Sequence, residues 1–477
     1  MKMIINGEKV DSSDKKGIQV LNPATQEVID TVPSATQEDI QKAIQVAQTG
    51  RKVWAQIPLY ERSSILKKYV ELLKENKLEL SKLESSETGK IIKECEGELG
   101  TAAKIFTGFI ERANHLCGEV MPDCQSECGK DIIFTRREPL GVIVCIIPFN
   151  YPVELFCHKV APALVMGNSV IVKPATDNPL TVIRLVELLL KAGIPKNVVQ
   201  VITGRGPVVG NHLIENPNVD AVSLTGSTEV GIEVAEKSAK YLHHVFLELG
   251  GNDAMIVMDD ADIDFAVEEA MLGRISNTGQ TCCATKRIVV NNKVKDEFIK
   301  KLIERLEKIK RGNPADHSTD IGCLISEKAA IDVEKQVKHT IDQGAKCVYG
   351  GTRNKAFFEP TVLVDVTLDM DVANDMEIFG PVIPIIGFDT EKEAVEIANA
   401  PIYGLQCGIV TNDIKTAINM AAKIEVGNVV INGTGNYRHI DMAFGGTKMT
   451  GIGREGVQYT LEEMSKVKSY VLKNILK

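Results

Sequence analysis

Residues Gly141 to Asn150 read GVIVCIIPFN, an unbroken β-branched run that stops at a proline and an asparagine. Such a run with no polar alternation suits a strand buried on both faces. Moving outward, the same texture returns as SVIVK (Ser169–Lys173), VVQVI (Val198–Ile202) and AVSLT (Ala221–Thr225), with helical stretches between. Alternating strands and helices predict a parallel sheet covered on both sides, a doubly wound nucleotide-binding domain. Beyond Gly251 the pattern resumes with DAMIVM, a helix from Asp262, KRIVVN, a lysine-rich helix from Val294, PVIPIIGF and NVVIN, which predicts a second α/β domain.

Before Gly141 the reading is more local. Ile5-Asn6-Gly7 suits a hairpin, and Thr36 with Asp39 makes a capping box for a helix carrying Ile40, Ala43, Ile44 and Ala47 on one face. A second helix follows Pro58, with Ile65, Tyr69, Leu72 and Leu73 at helical spacing, and Gly89 of ETGK marks its end. No internal repeat or low-complexity linker interrupts the chain.

The totals narrow the function. A chain of 477 residues exceeds one ordinary core and calls for at least two domains. With 44% hydrophobic and 25% charged residues it reads as soluble and globular, and a formal charge of −9 argues against a nucleic-acid or basic membrane face. The longest apolar stretch is broken by Pro148, Asn150 and Pro152, too short to cross a bilayer, and the start of the chain has no signal-peptide run. Eleven cysteines in no regular spacing suit a reduced, cytoplasmic enzyme acting on a small molecule.

Several motifs compete for the chemistry. GRGPVVG (Gly204–Gly210) spaces its glycines one residue off the dinucleotide fingerprint, so a plain turn explains it as well. TGSTEVG (Thr225–Gly231) puts Ser227 at a helix start, where free amides suit a pyrophosphate or an ordinary cap. The acidic run MDDADIDF lacks the glycine and glutamate of a calcium loop and reads as a capped helix start. Cys124 with Cys128, and His243-His244, have no second half at zinc spacing, so no metal is expected.

NTGQTCCATKR (Asn277–Arg287) carries the strongest candidate nucleophile. A thiol with a pKa of about 8.5 benefits from a helix N-terminus, and Gly279-Gln280 before Ala284 and Lys286 predicts one. Neighbouring residues project to different sides, so only one of Cys282 and Cys283 faces a given site. Glu248, in FLELGG, ends a strand among apolar residues that would raise its pKa toward a general base. Asn150 places an amide at the C-terminal end of a strand, where α/β sheets bind ligands. Buried core cysteines, a structural glutamate and a turn asparagine remain the alternatives.

In series these pieces resemble the aldehyde dehydrogenase superfamily, nearly end to end: LNPATQEV, ETGK, PFNYP, KPAT, TGSTEVG, LELGG, NTGQTC, EIFGPV and AFGGTKMTGIGREG. The resemblance implies Cys282 as nucleophile, Asn150 with the Cys282 amide as oxyanion hole, and Glu248 as general base. It implies a nicotinamide dinucleotide held by Ile147, Pro148, Lys173, Thr176, Gly226, Ser227, Glu377 and Phe379. Thr176 stands where many NAD-preferring members carry an acid, so the reading leans to NADP over NAD. The glutamate favours hydrolysis of the thioester over transfer to coenzyme A.

The implied architecture is α/β throughout: a Rossmann-like cofactor domain (1–121 and 141–249), a second α/β catalytic domain (250–430), and a small β bridging element (122–140 and 440–477) joining subunits of a homodimer or homotetramer. Substrate features divide. PFNYP, ITGRG and KPAT look like non-phosphorylating glyceraldehyde-3-phosphate dehydrogenases, whereas REPLGVIVCIIPFN and NYRHIDMAFGG look closer to lactaldehyde enzymes. His158 and Arg438 are the candidate substrate contacts, for lactaldehyde, succinate semialdehyde or glyceraldehyde 3-phosphate. From another class, Cys282, Asn150 and Glu248 could serve a cysteine hydrolase with no nucleotide.

Overall fold

The computed structural model describes residues 1–122 and 125–476. Two sheets organise the chain. The first contains β1 (Met3–Ile5), β2 (Glu8–Val10), β3 (Val142–Ile146), β4 (Ser169–Lys173), β5 (Val199–Val201), β6 (Ala221–Thr225) and β7 (His244–Glu248). Its order is β2-β1-β5-β4-β3-β6-β7, and Gly451–Ile452 adds an antiparallel edge to β7. The five strands β3 to β7 run parallel, and β3, β4 and β6 are buried almost throughout, as continuous Val/Ile runs require.

The second sheet contains β8 (Asp253–Val257), β9 (Thr285–Asn291), β10 (Lys346–Tyr349), β11 (Thr361–Val366), β12 (Val382–Phe388), β13 (Gln406–Val410) and β14 (Asn428–Ile431), in the order β10-β11-β12-β9-β8-β13-β14. All its pairings are parallel except that of β10 with β11. Outside both sheets, strands Ile132–Pro139 and Ser465–Leu472 form an antiparallel ribbon.

The helices that matter for the site are α1 (Gln37–Trp54), α2 (Leu59–Glu75), α3 (Lys77–Thr88), α4 (Ile92–Ala113), α5 (Pro152–Val165), α6 (Thr228–Ala239) and α7 (Ile263–Ile275). The Thr36–Asp39 capping box forms, and Asp262 caps α7 through the Phe265 amide. Gly89 does not end the helix that follows Pro58. Asn76 ends it, its Nδ2 donating to the Leu72 carbonyl, and α3 starts at once and ends at Gly89 with φ +76°. No helix among the described residues is long and apolar enough to cross a membrane.

Candidate active site

The C-terminal ends of β3 and β7 face the loop before β9, and this meeting places the candidate chemistry. Cys282 does not sit at a helix start. Asn277, Thr278 and Gly279 take positive φ values of 49°, 56° and 75°, a turn follows, and the chain enters β9 at Thr285. The β-branched run Ile288-Val289-Val290 prefers the sheet, overriding the helix-compatible Ala284 and Lys286. Lys286 Nζ instead donates to the carbonyls of Thr281 (3.0 Å) and Cys282, so a cation replaces the expected helix terminus beside the thiol.

Two consecutive non-glycine residues in the left-handed region persist only when the surroundings hold them. Here the Asn277 amide donates to both oxygens of Glu94 (3.0 and 3.1 Å), and its Nδ2 donates to Asn150 O (2.9 Å). Gln280 Oε1 accepts from the Ile325 amide (2.9 Å). A side chain at Gly279 would meet Gly380 O at 2.3 Å, so only glycine fits. One turn along α4 from Glu94, Glu98 Oε1 accepts from the amides of Val153 and Glu154 (2.8 Å each) and caps α5. One helix face thus holds both the Cys282 loop and the Asn150 loop. Asn150 Nδ2 donates to Gln280 O (3.1 Å), leaving one N–H of that amide for a ligand.

A cavity of 320 Å³ opens at Cys282, and Asn150, Tyr151, Glu154, Thr281, Cys283 and Arg438 share its wall. Glu248 does not line it. It lies in an adjoining crevice with Lys159 and Glu455, close enough for its charge to act on Cys282. A hydrogen bond that the Cys282 thiol donates to Cys283, then burial, push its pKa well up, while Lys286 and Arg438 pull it back. Burial, then the Glu455 and Cys282 charges, raise Glu248 well above the usual carboxylate range. Both shifts favour the neutral forms, SH and COOH.

The two candidate substrate contacts separate. Arg438 lines the cavity, but it is no solvated rim charge. Its guanidinium binds Glu455, lies 4.0 Å from Glu154 and stacks 3.9 Å from the Phe444 ring centre. His158 lies behind the wall, only 2% exposed, with Nε2 3.8 Å from Glu154. Burial, then the Arg438 charge, lower its pKa and keep it neutral.

The cofactor candidates gather at the first sheet. Lys173 ends β4, 4% exposed, its Nζ donating to Pro174 O (2.9 Å), and burial pulls the ammonium down to about 8. A buried ammonium that makes no salt bridge among the described residues, with only the Asp177 charge acting on it from further away, suits a polar ligand such as a ribose. The Ile147 amide donates to Lys173 O (2.9 Å), and half-buried Pro148 follows it into the Asn150 loop. Thr176 Oγ1 donates to Gly204 O (3.4 Å). Gly226 leads into Ser227, which caps α6 through the Val230 amide and leaves earlier amides of that turn for a pyrophosphate. Glu377 accepts from the Gly251 amide (3.3 Å) and pairs with Lys286 (3.1 Å), and Phe379 meets Phe149 edge-on at 5.8 Å. This donor and acceptor set fits a nicotinamide dinucleotide. Cys124, weighed above for a metal, lies outside the described residues.

Glu94, Glu98, Glu154 and Lys286 escaped the sequence reading. Their one available signal was the spacing of Glu94 and Glu98 on the face carrying Cys95, Leu99 and Ala102.

Residues 9–470 match the model of the aldehyde dehydrogenase family. The lactaldehyde dehydrogenase of Methanococcus aeolicus is 38% identical over 474 residues, covering 98% of this chain and 99% of its own. The 3-sulfolactaldehyde dehydrogenase of Priestia aryabhattai is 39% identical over 472 residues, 98% and 97% of the two chains. The betaine aldehyde dehydrogenase of Staphylococcus aureus, solved in complex with NAD+, superposes with a TM-score of 0.96 at 35% identity, covering 99% of this chain and 95% of that one. The chain belongs to the aldehyde dehydrogenase family, a class of oxidoreductases that work with a nicotinamide cofactor.

Proposed function

We propose that this enzyme oxidises a small, neutral hydroxyaldehyde of the lactaldehyde type to its carboxylic acid. The observation that carries the reading is the charge of the cavity wall. Its one guanidinium, Arg438, is matched by Glu455 and Glu154, and no lysine joins it. A substrate carboxylate, sulfonate or phosphate would find no free cation there and would meet Glu154, whose pKa is held low by hydrogen bonding to His158 and by Arg438. A neutral hydroxyl can donate to Glu154. The name of the Methanococcus relative supports this, whereas succinate semialdehyde and glyceraldehyde 3-phosphate fit the wall less well.

The Cys282 thiol loses its proton to solvent, and the thiolate Sγ bonds to the carbonyl carbon as the carbonyl electron pair moves onto oxygen. The resulting oxyanion takes hydrogen bonds from Asn150 Nδ2 and the Cys282 amide, each worth about 2.7–4 kcal/mol in comparable sites. A bound nicotinamide dinucleotide supplies the hydride acceptor, which leaves a thioester on Cys282. Glu248, reaching from its crevice and ionised, takes a proton from water; the water oxygen bonds to the acyl carbon, the C–S bond breaks with its electron pair going to Cys282 Sγ, and the acid departs. No histidine lines the cavity among the described residues, which disfavours a Cys-His hydrolase.

Thr176 offers a neutral hydroxyl where an acid would repel a 2′-phosphate, so we read NADP as preferred and NAD as accepted. The ribbon of Ile132–Pro139 and Ser465–Leu472 is the element we assign to subunit bridging in a dimer or tetramer. The test is cofactor reduction, followed by near-ultraviolet absorbance, with lactaldehyde, succinate semialdehyde and glyceraldehyde 3-phosphate, each with NADP and NAD. Lactaldehyde should lead by about tenfold or more in kcat/KM, a margin of roughly 1.4 kcal/mol. Preference for either acid-bearing aldehyde would overturn the substrate reading. No reduction with any pair would overturn the reaction.

A further inference from the structure

Sharing no residue with the Cys282 cavity, a second cavity of 850 Å³ opens between the α1–α2 turn, the end of α4 and strand Ile132–Pro139. Six cations contribute to its wall, Arg51, Lys52, Arg62, Arg136, Arg137 and Lys466, against one carboxylate, Glu138. The whole chain carries a formal charge of −9, so this clustering runs against its overall balance. Like charges around a low-dielectric hollow focus a positive potential into it.

The fold neutralises little of that charge. Arg51 reaches Asp220 at 3.3 Å, and Glu138 is engaged by Lys468 (3.2 Å) and the Tyr470 hydroxyl (3.0 Å). Arg62 donates to the carbonyls of Val165 (3.0 Å) and Ile57 (2.6 Å), and Arg137 to Glu462 O (3.0 Å) and Ser465 Oγ (3.1 Å). Neither arginine has a carboxylate partner among the described residues. Burial alone pulls the Arg62 guanidinium down to about 10. Lys52, Arg136 and Lys466 are exposed and have no hydrogen-bonding partner among the described residues.

The site is also rigidly built. Gly141 has φ +142°, and a side chain there would meet Asp220 Oδ2 at 2.1 Å and Arg51 Nη1 at 2.7 Å. Gly167, at φ +92°, lets Arg62 Nη1 approach to 3.2 Å of where a Cβ would stand. Two guanidinium groups thus rest directly on backbone, over a floor that includes Leu59, Leu140 and Met166. Guanidinium forks pair with phosphate or carboxylate oxygens two at a time.

We propose that this cavity binds a small molecule carrying two or more phosphate or carboxylate groups, at a site separate from aldehyde and dinucleotide. Several cations arranged around one hollow answer several negative groups better than one.

The test is calorimetric titration of the full-length enzyme with inorganic pyrophosphate, with NADP saturating so that the dinucleotide's own phosphate site is filled. Pyrophosphate should bind at least tenfold more tightly than orthophosphate. The double variant Arg136→Gln/Lys466→Gln, whose parent side chains make no hydrogen bond among the described residues, should weaken it at least tenfold with the sedimentation coefficient and aldehyde oxidation unchanged. Arg62→Met should weaken it further. Equal affinity in the parent and the double variant, or no binding by the parent, would overturn the proposal. So would a lower sedimentation coefficient in the double variant, which would place Arg136 and Lys466 in the contact between subunits rather than at a ligand site.

Discussion

Replacing Glu154 with Gln removes a negative charge from the aldehyde cavity and leaves its size unchanged. A substrate carboxylate about 6 Å from that charge, at an effective dielectric of about 20, is repelled by about 3 kcal/mol, roughly a hundredfold in rate constant. Arg438, 4.0 Å from Glu154, would lose one of its two counter-charges and become available to the same carboxylate. Water in the open cavity screens part of both effects. The expected outcome is a gain of about tenfold to a hundredfold in kcat/KM for succinate semialdehyde relative to lactaldehyde. Initial rates of cofactor reduction with both aldehydes, on parent and variant side by side, give that ratio. An unchanged ratio would refute the argument that the wall charge selects the substrate.

Three further outcomes follow from the same geometry. Glu94→Gln replaces a carboxyl whose two oxygens accept from the Asn277 amide, and whose pKa burial raises to about 7, by a carboxamide with one acceptor oxygen, an interaction worth about 1.5–3 kcal/mol where the acceptor is ionised. Because that amide sits in the strained loop before Cys282, kcat should fall about tenfold or more with KM for the dinucleotide unchanged, and an unchanged kcat would clear Glu94 of any positioning role. Lys90 is fully buried between Glu84 and Glu98. Lys90→Met leaves those carboxylates without a cation and should cost about 3–5 kcal/mol in denaturant unfolding, against near-zero if the pair is dispensable. The third concerns pH: in the proposed mechanism Cys282 and Glu248 each act as an anion, and both have raised pKa values. Their ionised fractions still grow above neutrality, so the single-turnover rate should climb with pH into the alkaline range. A profile already flat at neutral pH would contradict it.

Much of the fold was legible because strands buried on both faces must be apolar throughout, and GVIVCII, SVIVK and AVSLT say so without alternation. Asn150, Glu248 and Cys282 could be singled out because each stands where a strand ends or a glycine forces a turn. What surrounds them was not legible. A glutamate on a helix ordinarily reads as solvated, so only the spacing of Glu94 and Glu98 on a face with Leu99 and Ala102 hinted that they hold the Asn277 loop and the start of α5 through backbone amides. The Cys282 loop was misread as a helix start because Ala284 and Lys286 suit one locally, whereas the sheet claims the following residues. Arg438 read as a substrate contact, and its ion pairing was not legible because its partners, Glu154 and Glu455, lie 284 and 17 positions away in the chain.

The central claim is that an acyl group passes through Cys282 and is released by water activated at Glu248. Its most direct measurement is peptide mass spectrometry of the Glu248→Gln variant quenched after mixing with lactaldehyde and NADP. The account predicts an acyl group on Cys282, none on Cys283, and little on the parent enzyme, where hydrolysis removes it. An acyl group on Cys283, or cofactor reduction in the variant with no acylated cysteine, would contradict it.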